Sequence, residues 1–166
     1  MNRGSYRVLL DKTGLLAGAV FPGYEPAQAE QIETLRRLIY WFWHDLSHFS
    51  TAMGRGQLLW AHGQLEALRL YCINLARLRQ NFLDGDVGSE GYFKLEQALA
   101  AAQLAPLQVT YCPLERGAML QAALIIVRFY QELALLLART HGIPYPAQLD
   151  RVMSDRLETL CAAHLR

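Results

Sequence analysis

An apolar seam runs through the first half of the chain with a period that only a helix satisfies. Ile32, Leu35, Ile39, Phe42, Leu46, Phe49 and Met53 step by alternating threes and fours. On a helix they share one stripe about six turns long, whereas a strand would send alternate residues to opposite faces. A stripe of that length has to be buried, and one helix cannot bury itself. The seam therefore predicts partner helices, and the rest of the chain carries them. Leu58, Ala61, Leu65, Leu68, Cys72, Leu75 and Phe82 form a second stripe. Tyr92, Leu95, Leu99 and Ala102 form a shorter third, and Met119, Ala122, Ile126, Phe129, Leu133 and Leu136 a fourth. Leu149, Met153, Leu157 and Leu160 face inward on a last helix opened by Pro146.

The punctuation agrees. Gly54 and Gly56 break the chain around Arg55, Gly142 and Pro144 stop the fourth helix, and Pro106 and Pro113 bound a non-helical connection. Asp84, Gly85, Asp86 and Gly88 read as a polar turn, with Ser89 as the N-cap of the next helix. The expected fold is all-α, an antiparallel bundle of about five helices. Ahead of it, residues 1–24 read as a β-hairpin extension, with Tyr6–Leu10 and Leu15–Phe21 as strands and Asp11–Gly14 as their turn. The bundle takes residues 25–166.

Composition narrows the class. Of 166 residues, 52% are hydrophobic and only 19% charged, enough for one cored domain and wrong for disorder. A formal net charge of +1 gives no field that favours nucleic acid or an anionic membrane. Cys72, Cys112 and Cys161 lie far apart with no CxxC pair, which predicts free thiols and a reducing, cytoplasmic setting. No signal peptide is expected. The apolar stretches, interrupted at Gln121 and Arg128, are expected to fall short of a membrane span.

Several groupings invite a chemical reading. His44 and His48 are four apart, so both imidazoles share a helix face, as in a metal pair. Asp45 stands where a zinc protease would have Glu, and no third ligand is near, so the expectation is no metal site. Arg55 and His62 could hold a phosphate and move a proton, as in helical ribonucleases, but the residues between them are largely apolar. Phosphate-cradling glycine motifs and a GxSxG elbow are absent from the sequence. Tyr40, Trp41, Phe42 and Trp43 put aromatics on several faces of the first helix, which marks it as central in a bundle or buried against a partner.

Three segments carry a family resemblance. They are Phe42-Trp43, Gly54-Arg55-Gly56-Gln57-Leu58-Leu59-Trp60-Ala61, and Leu65 with Leu68-Arg69. Together they resemble the helical C-terminal half of bacterial aminoglycoside-type nucleotidyltransferases. Val8–Gly14 is similar to the last strand of the catalytic domain in that group, and Gly91, Leu95-Glu96 and Gly142–Pro146 suit the same arrangement. The resemblance implies a substrate-binding or dimerisation domain. The Gly-Ser turn and metal-binding carboxylates of the catalytic half are not among these residues, and Gln57 stands where the family commonly has a Glu that can act as a base. The implied protein is non-catalytic by itself and without cofactor. Its implied partner is a second copy or a separate catalytic nucleotidyltransferase chain. Trp43, Asp45, Arg55, Gln57 and His62 are the candidate ligand contacts, with Asp45, Glu66 and Glu115 as the acids that a polycationic substrate would need.

Overall fold

A computed structural model describes residues 10–17, 19, 26–84, 87, 91–92 and 95–164. Six helices follow one another: α1 (Gln28–Gly54), α2 (Leu58–Gln80), α3 (Leu95–Ala98), α4 (Ala101–Gln108), α5 (Arg116–Thr140) and α6 (Ala147–His164). The predicted first seam is the buried stripe of α1, with Leu35, Ile39, Phe42, Leu46, Phe49 and Met53 all withdrawn from solvent and Ile32 packed at the edge. The turn after it follows from Gly56, whose φ of +70° only glycine adopts freely. Gln57 N–H then reaches back to the Ala52 carbonyl and Gly56 N–H to Met53, a Schellman closure that lets α2 start at Leu58. Gly142 ends α5 in the same manner, with Ile143 N–H on the Ala138 carbonyl.

Contacts fix the helix directions. Ile39 and Met53 of α1 meet Tyr130 and Arg116 of α5, so those two run antiparallel. Tyr40 and Thr51 meet Pro144 and Arg156, so α6 runs along α1 in the same sense. Phe82, just past α2, stacks on His141, just past α5, at 3.7 Å. The α2 and α5 helices are therefore parallel neighbours, which corrects the simple antiparallel expectation. The cause is the segment between them: α3 and α4 carry the chain back across the bundle before α5 begins.

Three further expectations change. The third seam is two helices, because the chain is extended at Ala100, where the Gln103 side chain accepts the Ala100 N–H. Pro106 lies inside α4, close enough to its end that the helix closes two residues later. Leu15–Ala17 form a turn instead of a strand. Asp11 carboxylate oxygens accept the N–H groups of Thr13 and Leu16, and Ala17 N–H bonds the Gly14 carbonyl, which curls the segment. No strand is present among the described residues. Hairpin residues 1–9, 18 and 20–24, with Asp86 and the Ser89 cap, lie outside them.

The α5 helix is long and apolar enough to cross a membrane by length and composition, contrary to the sequence expectation. More than half of its apolar window is buried within the bundle, where it packs on α2, α6 and α4. At the centre, Phe42 stacks on Tyr130 with ring centroids 3.5 Å apart, and Trp43 meets the same ring edge-on at 5.3 Å. Tyr130 O–H donates to the Ile39 carbonyl at 2.6 Å. Arg69, fully buried, pairs with Glu66, donates to Thr110, and lies 4.5 Å over the Tyr111 ring.

The stack and the hydrogen bond should separate in a denaturant titration. Phe42→Ala is expected to lose about 3–5 kcal/mol of stability. Tyr130→Phe, which keeps the stack and loses the hydroxyl, should lose about 1 kcal/mol. Equal losses would show that the stacked ring is not what the core depends on.

Candidate functional site

The polar side of α1 is where the chemistry gathers. Trp41, His44, Asp45 and His48 lie off the buried seam at steps that keep them on one stripe. The Asp45 carboxylate is shared in two directions. One oxygen accepts from Tyr71 O–H of α2 at 2.9 Å, and the other faces His44 Nδ1 at 3.1 Å. His44 Nε2 stands 3.4 Å from His48 Nε2. Aromatic rings flank the pair, Trp41 at 4.9 Å from His44 and Trp60 at 5.8 Å from His48. Beside this cluster runs a groove of about 540 Å³ lined by Glu30, Thr34, Arg37, Leu38, Trp41, Tyr71 and Val87. Tyr71 thus belongs to both, facing the groove and anchoring Asp45.

The other predicted contacts are dispersed. Trp43 is 1% exposed and packed in the core, because it stands four residues after Ile39 and three before Leu46 on the buried face, where it meets Tyr130. Its indole N–H is buried without a partner among the described residues. Trp43 therefore lines no cleft with Arg55 and Gln57. Arg55 opens onto a hollow of about 500 Å³ with Thr51, Arg156 and Thr159. Gln57 lines a separate one of about 620 Å³ with Leu59 and Trp60. Arg55 and His62 are both exposed, and among the described residues no hydrogen bond or ion pair joins them. Of the nominated acids, Glu66 is engaged by Arg69 and by the Tyr92 phenol, and Glu115 sits exposed before α5. Only Asp45 lies beside the groove.

Trp41, Tyr71 and Glu30 were not anticipated. Trp41 was visible only as one of four consecutive aromatics. Tyr71 stands next to Cys72 in the α2 stripe, so its outward tilt could be read only against α1. The three thiols are free, as expected, with Cys72 and Cys161 buried and Cys112 half-buried. Burial pushes all three upward in pKa, away from thiolate reactivity.

The geometry by itself defines an all-helical scaffold with a groove along α1 lined by two aromatic rings, one acid, Glu30, and one base, Arg37. The family is more specific. A model of the streptomycin adenylyltransferase family matches residues 1–160, and the chain belongs to that family. No curated protein and no solved structure matches it.

The phenols make the fold sensitive to alkali. Burial first, and then Asp45, raise Tyr71 above its ordinary value of 10.0. Tyr92, Tyr130 and Tyr145 are raised as well, each chiefly by burial. An unfolded chain releases these protons near pH 10 while the native state retains them. Stability is therefore intact below that pH and falls as pH rises above it. Denaturant midpoints across the alkaline range should drop steeply. Asp45→Asn should make the drop shallower, and an unchanged slope would remove Asp45 from the account.

Proposed function

We propose that this chain is the substrate-side helical bundle of a nucleotidyl-transfer protein, binding a small hydroxylated, amine-bearing molecule and not carrying out the transfer alone. The observation that carries this is the groove along α1. Its size suits a small-molecule site. Trp41 and Tyr71 offer faces to a sugar ring or a cation, and Glu30, with Asp45 behind Tyr71, sets negative charge against that of Arg37 on the same lining. Membership of a family described by streptomycin adenylylation supports an aminoglycoside as the class of ligand. Gln57, in a separate hollow, is no base at the position where relatives of the resembled group commonly carry Glu. The transfer step then falls to carboxylates and a metal outside the groove. Titration calorimetry with streptomycin and other aminoglycosides should show saturable heat. Glu30→Gln and Trp41→Ala should each weaken binding by about tenfold, the loss of one charged or stacking contact. No heat from any aminoglycoside would sink the reading.

A second reading concerns assembly. Leu59 is 79% exposed, and Trp60 and Trp41 are also open to solvent, all on the α1–α2 side. Apolar side chains in such numbers on one side suit a homodimer or contact with a catalytic nucleotidyltransferase chain. Light scattering at micromolar concentration should report a dimer that Leu59→Glu converts to monomer. A wild-type monomer would exclude the homodimer.

A further inference from the structure

We propose that His44 and His48 form a binding site for a divalent transition cation of the zinc, nickel or copper type, held by the two Nε2 atoms with its other positions open to water or to a ligand's oxygen or nitrogen. The first argument is the bite. A tetrahedral ion with metal–nitrogen bonds of about 2.0–2.1 Å needs its two nitrogens about 3.3–3.4 Å apart. The two Nε2 atoms of His44 and His48 stand 3.4 Å apart. An i, i+4 pair reaches this spacing only when both rings turn toward each other, as they do here.

The second argument is the tautomer. Asp45 can only accept, so the His44 contact with it calls for a proton on Nδ1, which in the neutral ring leaves the lone pair on Nε2, the atom that faces His48. A carboxylate behind a ligating histidine is the usual means of fixing ring orientation and raising donor strength. Here that carboxylate is itself held, because its other oxygen accepts from Tyr71 O–H. The chain Tyr71–Asp45–His44 is built as a metal ligand's support is built, across two helices.

The third argument is ligand type. Imidazole nitrogen suits zinc, nickel and copper, whereas magnesium prefers oxygen. No group of three or more His, Cys, Asp or Glu side chains able to hold a metal occurs among the described residues. The ion would therefore keep at least two exchangeable positions, on a face walled by Trp41 and Trp60.

The test is a titration of untagged full-length chain with zinc chloride, followed by calorimetry, and with copper(II), followed by tryptophan fluorescence. Zinc is expected to bind one per chain, and copper to quench emission through the two flanking indoles. His44→Ala and His48→Ala should each weaken zinc binding by at least about tenfold, and Asp45→Asn by about tenfold through the lost support. His62→Ala should leave the isotherm unchanged, and excess magnesium should not displace zinc. Both imidazoles lie on the solvent side of α1, so circular dichroism should show intact helix in every variant. A zinc isotherm that survives in the His44→Ala/His48→Ala double variant, or no saturable binding by the wild-type chain, would overturn the site.

Discussion

Everything in this bundle hangs on α1 having to bury one long stripe while serving three neighbours. It packs on α2, α5 and α6, and the Phe42–Tyr130 stack is where its stripe meets α5. The Tyr130 hydroxyl closes on the Ile39 carbonyl, so the ring is held at both ends, by its face and by its oxygen. Tyr130 is thereby a buried phenol with its proton committed. The same burial that stabilises the core at neutral pH opposes phenol ionisation in alkali. At the far end of α1, the Arg116 guanidinium donates to the Met53 carbonyl at 2.6 Å, adding a second partner to a carbonyl that already accepts the Gly56 N–H and tying the helix end to α5.

Helix existence was legible in the sequence because burial and period coincide there. The α1 stripe is correct at each interior position, and Met119 through Leu133 on α5 likewise. Leu136 is exposed because the buried face of α5 runs on through Leu133 to Leu137, one residue away from it, and Leu149 is exposed in the first turn of α6. Helix direction was not legible either. Short links force antiparallel neighbours, but the link from α2 to α5 is long and contains two helices of its own, and nothing local in it states how far it travels. The N-terminal turn was misread for a related reason. Two short apolar runs around a Gly-containing turn suggest strands, yet the Asp11 side chain satisfies local N–H groups and curls the segment.

The candidate site was legible only in its histidines and Asp45. The helical step shows that His44 and His48 share a face, but pairing is a property of ring torsions and of Asp45, whose second oxygen is engaged by a residue from another helix. Trp43 illustrates the converse error. A tryptophan flanking polar positions suggests a ligand contact, but the helical wheel puts it between Ile39 and Leu46, and the core takes it.

The groove and the histidine pair are not independent surfaces, because Tyr71 takes part in both. Its ring lines the groove with Trp41, and its hydroxyl holds the carboxylate that orients His44. A molecule seated on the Tyr71 ring would press on the hydroxyl's bond to Asp45. An ion on the histidines would draw His44 and, through Asp45, tighten the same hydroxyl. Coupling of this kind is reciprocal: whatever factor an ion adds to ligand affinity, the ligand adds to ion affinity. The path is three side chains long and crosses one helix interface, so it needs no change of fold, only the retention of two hydrogen bonds. On the two proposals taken together, the polar stripe of α1 would act as one surface with two ends, a groove for a small molecule and a nitrogen pair for a cation, with Asp45 between them.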